Sequence, residues 1–210
     1  MKRPQIILIG GSSGVGTTSL SVEVSNVMDI SHIVETDYIR EVLRGIISKE
    51  YAPVLHTSSY SSYDKLSGYG ELSKFLEFKD LVSLGFMEHV GMVTPTIERV
   101  IRRSIKEMNN TIFEGIHISP ALISLHKFKR WADAHLFIIS VDEDEHQERF
   151  IRRSIERKRG GTHLDYFKEI RITHELLVKQ AQEHNYPVID NTGDLKSTVD
   201  EIVKHIKQDV

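Results

Sequence analysis

The feature that most constrains this chain is a glycine-rich turn set directly between an apolar run and a helix-forming run. Ile6-Ile7-Leu8-Ile9 reads as a short strand buried on both faces. It leads at once into Gly10-Gly11-Ser12-Ser13-Gly14-Val15-Gly16-Thr17-Thr18-Ser19, and helical periodicity then runs from Thr17 to Val27. A loop this rich in glycine can turn its backbone N–H groups inward, where side chains would obstruct an anion. The helix behind it adds the positive end of its dipole. Aligned with G-x-x-x-x-G-K-[ST], the segment supplies Gly11, Gly16 and Thr18 at the required positions, with Thr17 where lysine is expected. The predicted ATP-binding set is therefore Gly11, Ser12, Ser13, Gly14, Val15, Gly16, Thr17, Thr18 and Ser19, with the Thr18 hydroxyl placed to ligate Mg2+.

The rest of the chain alternates in the same way. Short apolar runs at His32–Glu35, Thr111–Glu114, His135–Ser140 and Pro187–Ile189 read as further strands. Helical patterns cover Asp37–Ile47, Pro95–Met108, Glu143–Arg157, Tyr166–His184 and Leu195–Ile206. Strands alternating with helices predict an α/β fold: a mainly parallel five-stranded sheet with helices on both faces. At 210 residues the chain suits one domain, 1–210. The absence of cysteine excludes disulfides, thiolate zinc sites and cysteine nucleophiles. A net charge of −3 gives no overall attraction to nucleic acid or acidic lipid, and no apolar run is long enough to span a bilayer. The expectation is a soluble, cytoplasmic protein without nucleic-acid or membrane partners; the oligomeric state is left open.

Acids and arginines fall where strands end, which is where ligands bind in open α/β sheets. Asp37 follows the second strand and can hold an acceptor hydroxyl and take its proton, or serve as a helix N-cap. Arg40 and Arg44, spaced i, i+4, suit a phosphate or carboxylate, or form a solvated face. Glu114 ends the third strand, in the position of a carboxylate that orients magnesium. His117 beyond it is an acceptor-phosphate ligand or a structural histidine. Arg149, Arg152, Arg153 and Arg157 recur at helical spacing before Gly160-Gly161. They form a lid over about 149–161 that closes on a transferring phosphoryl group and stands in for the missing lysine. The alternatives are an exposed helix with ordinary ion pairs and a nucleic-acid-binding face, the latter opposed by the acidic overall balance. Lys2 and Arg3 cannot replace that lysine, since ~3.3 Å per strand residue puts them on the order of 20 Å away.

The irregular segment Tyr51–Gly70 is rich in Ser and Tyr and reads as a functional loop, though the spacing of Leu55-His56-Thr57-Ser58-Ser59-Tyr60 alone assigns it no chemistry. The turn Ile189-Asp190-Asn191-Thr192-Gly193-Asp194 either flanks a nucleotide base or is an ordinary turn.

Together, the glycine loop, Thr36-Asp37-Tyr38-Ile39-Arg40-Glu41-Val42-Leu43-Arg44, Leu55 to Tyr60, Gly85-Phe86 through Ile97-Glu98-Arg99, and Phe113-Glu114-Gly115-Ile116-His117 resemble the archaeal 2-phosphoglycerate kinase family. That family also carries Thr in place of the loop lysine. The resemblance implies a P-loop kinase of the nucleoside and shikimate kinase type, in a short form without the N-terminal regulatory module of longer members. It implies ATP- and Mg2+-dependent phosphoryl transfer to a hydroxyl of a small anionic metabolite, 2-phosphoglycerate first, giving 2,3-bisphosphoglycerate. Within it, Asp37, Arg149, Arg152 and Arg153 would be catalytic, and Thr18 and Glu114 would hold the metal. Arg40, Arg44, His56, Thr57, Ser58, Ser59, Tyr60 and His117, within an insertion of about 51–90 and its surroundings, would hold the acceptor. Two alternatives stand beside this: a kinase for a nucleoside, nucleotide or inositol phosphate, and a nucleotide-binding regulatory module without transferase activity.

Overall fold

The computed structural model describes residues 3–157 and 162–208. Five parallel strands, β1 (Gln5–Gly10), β2 (His32–Glu35), β3 (Thr111–Gly115), β4 (Asp133–Ser140) and β5 (Val188–Asp190), form one sheet in the order β2-β3-β1-β4-β5. The near-continuous apolar character of β1 follows from its central place. Ile6 and Leu8 pack on one face, against Phe86, Val90, Val93 and Ile97. Ile7 and Ile9 pack on the other, against Leu20, Val24, Val199 and Ile202. Alternate side chains thus serve two cores, and all four are fully buried.

The helices are α1 (Thr17–Met28), α2 (Thr36–Ile46), the single turn α3 (Tyr69–Leu72), α4 (Phe78–Lys106), α5 (Glu143–Arg157), the single turn α6 (Thr162–Asp165), α7 (Phe167–Glu183) and α8 (Leu195–Gln208). Helix α1 packs with α8, and α4 packs with α7 and α2. None of the described helices is long and apolar enough to cross a membrane.

Helix α4 departs from the pattern reading. It begins at Phe78 and runs through Pro95, where sequence periodicity starts it at the proline. Proline costs an interior hydrogen bond. Here Val90, Val93, Ile97 and Ile101, all fully buried on either side of it, hold the helix together by packing. Residues 78–90 therefore belong to a core helix and not to an insertion. The segment before α4 is irregular but packed down. It makes 3₁₀ turns at Val54–His56 and Ser62–Lys65, and Val54, Leu55 and Ser62 are almost wholly buried. Part of the predicted lid, from Lys158 through the Gly160-Gly161 stop, lies outside the described residues.

Gly85 is where this segment meets α4. A Cβ on Gly85 would lie 2.5 Å from both the amide nitrogen and the Cα of Tyr63. Backbone atoms cannot give way cheaply, so Gly85→Ala should lower stability by about 1–3 kcal/mol. Gly91→Ala, with nothing within 4 Å of the new carbon, should be neutral or slightly stabilising. Equal denaturation midpoints for the two variants would contradict this contact.

Four buried histidines predict the response to acid. Burial pushes His89 and His146 from the ordinary 6.5 down to about 4, pushes His174 to about 3, and lowers His117 in the same direction. The unfolded chain takes up these protons near pH 6.5, whereas the folded chain refuses them until about pH 4 or below. Stability is thus complete above pH 6.5 and declines as pH falls toward 4. Thermal midpoints measured from pH 7.5 to 4.5 should fall progressively below about pH 6.5; a flat profile would refute it.

Candidate active site

The loop between β1 and α1 is shaped from outside by its carbonyls. His146 on α5 donates from Nε2 to the Ser13 carbonyl at 2.8 Å. The Val15 carbonyl accepts from Arg149 Nη1 at 3.1 Å and from Asn191 Nδ2 at 2.8 Å. Inside, Ser12 Oγ lies 3.4 Å from His174 Nδ1 on α7. Once the carbonyls are tied outward, the amides are left to face a ligand. Gly16 has φ 96°, and a Cβ there would come within 2.8 Å of the Asn191 amide nitrogen, so the position demands glycine twice over. His146 escaped the sequence reading. The available signal was its face: His146, Arg149, Phe150 and Arg153 fall at i, i+3, i+4 and i+7 of one helix, and Gly14 lies against the Phe150 ring.

The loop opens into a cavity whose other walls come from the carboxyl ends of β2 and β3. It is lined by Gly11–Gly14 and Gly16–Ser19, and by Glu35, Asp37, Arg40, Ser58, Ser59, Tyr60, Glu114, Gly115, Ile116, Arg153 and His163. Thr18 Oγ1 donates to Glu114 Oε1 at 2.9 Å. Glu114 is only 3% exposed, and its pKa is raised by burial and by the neighbouring Glu35 and Asp37, against hydrogen bonds from Thr17 and Thr18. A hydroxyl and carboxylates are hard oxygen donors of the kind magnesium takes, and a cation here would restore the ionised form of Glu114. Glu35, which sits opposite Glu114 in the strand register, also escaped the sequence reading. The rule that ligands gather at strand ends, applied to the last residue of β2, would have found it.

Asp37 lies in the first turn of α2, past the cap position held by Glu35, so the N-cap alternative does not apply. Its Oδ1 is 3.0 Å from Arg40 Nη1. Arg40 lines the cavity, but Arg44 does not: it donates to the Leu55 and Thr57 carbonyls and pairs with Glu41, so it braces the loop from behind. Ser58, Ser59 and Tyr60 line the cavity. His56 instead contacts the Ile47 carbonyl at 2.8 Å, and the Thr57 hydroxyl donates to the Val54 carbonyl. His117 is fully buried, against Thr36 and His89, and is absent from the cavity wall.

The arginines of α5 divide. Arg149 is held by Glu145, the Val15 carbonyl and the Asn191 carbonyl, so it clamps the loop to the turn after β5 and does not hang over the cavity. Arg152 pairs with Glu145 and is well exposed. Arg153 lines the inner cavity and also an outer cleft with Gly14, Gly16, Ser19, Arg149, Arg152, Asn191, Gly193 and Leu195. No lysine lines either space among the described residues. His163, also on the cavity wall, stacks on Phe150 with ring centroids 5.6 Å apart, and the Tyr60 ring centroid lies 5.8 Å from that of His163.

No family model matches the chain. Among curated proteins it is 39% identical over 209 residues to a 2-phosphoglycerate kinase of Methanopyrus kandleri, and 38% identical over 209 residues to one of Methanothermobacter thermautotrophicus. A third, from Pyrococcus furiosus, is 34% identical over 213 residues. The alignments take in 98–99% of this chain but only 61%, 66% and 66% of the three relatives, so the chain spans a little under two thirds of their length. Among solved structures, shikimate kinase from Acinetobacter baumannii in complex with shikimate aligns with TM-score 0.54 at 12% identity, covering 98% of this chain and 94% of that one. A gluconokinase from Sinorhizobium meliloti 1021 aligns with TM-score 0.52 at 13% identity, covering 99% and 94%. At such identities the likeness concerns the fold. The kinship thus runs along nearly the whole chain: over its length this chain is similar to the archaeal 2-phosphoglycerate kinases, and its sheet has the fold of the shikimate kinase and gluconokinase structures.

Proposed function

We propose that this chain transfers the γ-phosphoryl group of ATP, with magnesium, to the free hydroxyl of a small phosphorylated acid, 2-phosphoglycerate in the first instance. The observation that carries the reading is the meeting of Thr18 and Glu114 at the mouth of the loop, with Asp37 and Arg40 in the same cavity. The printed name of the archaeal relatives supplies the acceptor.

In this reading the loop amides hold the β- and γ-phosphates, and the outer cleft beside Asn191 and Arg149 takes the ribose and base. Thr18 and Glu114 would hold magnesium, which supplies neutralising charge to the phosphates. Asp37 holds the acceptor hydroxyl and accepts its proton. Arg40, Ser58, Ser59 and Tyr60 face the acceptor's anionic groups. Arg153, present in both the cavity and the cleft, is the arginine placed to take over from the missing lysine. Arg149 works through the loop it clamps, and Arg44 through the carbonyls it holds.

Release of ADP by purified protein with ATP and Mg2+ should rise strongly on adding 2-phosphoglycerate. No stimulation, with ATP binding intact, would sink the acceptor assignment. Asp37→Asn should lower kcat by about 10²–10⁴-fold at unchanged ATP affinity; an unaltered kcat would remove Asp37 from the chemistry. Arg153→Ala should cost about 10²-fold in kcat, and Arg152→Ala much less. The reverse order would place the replacement cation at Arg152.

A further inference from the structure

Two buried histidines lie behind the acceptor side of the cavity, and the transfer chemistry uses neither. His89 on α4 and His117 after β3 are fully buried and stacked, with ring centroids 5.3 Å apart and an interplanar angle of 21°. Their Nε2 atoms approach to 3.3 Å. On the far side, His89 Nδ1 is 3.0 Å from the Val54 carbonyl oxygen. On the near side, His117 Nδ1 is 3.1 Å from Thr36 Oγ1 and 3.7 Å from Asp37 Oδ1. Thr36 is itself fully buried, and a Cβ on Gly115 would collide with its hydroxyl oxygen.

These contacts leave one placement of the protons. A carbonyl has none to give, so His89 donates from Nδ1 and its Nε2 is a bare acceptor. His117 must then carry its proton on Nε2, which leaves its Nδ1 to accept from the Thr36 hydroxyl. Burial keeps both rings neutral, with Arg40 and Arg44 of α2 adding to the effect. The direction has a chemical consequence. A bare Nδ1 cannot donate to Asp37, so His117 ties up neither carboxylate oxygen, and Asp37 is oriented by Arg40 and the cavity instead. With the opposite tautomer, an N–H would face the Asp37 carboxylate and compete with the acceptor for it.

We propose that Thr36, His117 and His89 are positioning residues for the phosphoryl acceptor: one directed chain of hydrogen bonds that holds Asp37 in register with the loop following Val54. The proposal rests on the reading of Asp37 and Ser58–Tyr60 as the acceptor's wall. The two ends of the chain lie on the two elements that make that wall. Arg44 forms a second, parallel tie, reaching from α2 to the Leu55 and Thr57 carbonyls. The phosphate loop takes no part in the chain, and this separates the proposal from a purely structural role. A defect in the chain should spoil placement of the acceptor and leave nucleotide binding alone.

His117→Asn keeps an acceptor oxygen near Thr36 but cannot reach His89, and Thr36→Val removes the donor. Each should lower kcat/KM for 2-phosphoglycerate about tenfold or more, with KM for ATP unchanged within about twofold. Thr36→Ser should restore most of the loss. Equal losses toward both substrates, or none toward either, would overturn the proposal. Wild-type protein inert toward 2-phosphoglycerate would defeat the acceptor assignment by itself. The chain is then judged by nitrogen-15 NMR of the imidazoles in the wild-type protein at pH 7. Protonation of His89 on Nδ1 and of His117 on Nε2, with the His117 Nδ1 resonance moving in Thr36→Val, supports it. The opposite tautomer at either ring overturns it.

Discussion

The conformation of the phosphate loop depends on who accepts and who donates around its carbonyls. A glycine-rich turn has many conformations, and glycine by itself selects none of them. Here His146, Arg149 and Asn191, from α5 and the turn after β5, take up the Ser13 and Val15 carbonyls. That selection orients the amides, places Thr18 at the start of α1 and brings its hydroxyl to Glu114. The neutral state of His146 belongs to the same device. With Nε2–H spent on Ser13, its Nδ1 faces Arg171 at 3.3 Å, and a second proton would meet that guanidinium.

Charge in the cavity is arranged in opposition. Glu35, Asp37 and Glu114 gather at the ends of β2 and β3, and Arg40 and Arg153 lie across from or beside them. Burial first, and then the neighbouring Glu35 and Asp37, raise the cost of ionising Glu114. Such a group favours a cation among the carboxylates and a polyanion against the arginines, the charge pattern that the proposed phosphoryl transfer requires.

The sheet and the loop were legible because their signals are local. Residues 6 to 9 are apolar at every position since the strand is buried on both faces, and the glycines follow without a gap. The start of α4 was hidden because Pro95 looks like a helix beginning, and only packing on both sides of it shows otherwise. The places where the site differs from its sequence pattern share a cause. His117 resembles a ligand in sequence, but its partners Thr36 and His89 lie 81 and 28 positions away, and nothing local announces that they enclose it. Arg44 and Arg149 resemble substrate arginines, yet both spend their guanidinium groups on backbone carbonyls of distant segments. Spacing shows which residues share a helix face; it does not show what that face meets.

On the proposed function, the strand order puts the two substrates on opposite sides of β1. The proposed acceptor wall comes chiefly from β2, β3, α2 and the Ser58–Tyr60 loop, on one flank, while the proposed nucleotide cleft is made by α5 and the turn after β5, on the other. The loop after β1 is shared, and so is Arg153, which lines both spaces. On that proposal, mutations confined to the β2–β3 flank would reshape the acceptor's wall and spare the outer cleft, so a lineage could exchange its acceptor while inheriting its phosphoryl donor. Modularity of this kind is usually sought in separate domains; here it lies within a single sheet, as a division between left and right of one strand.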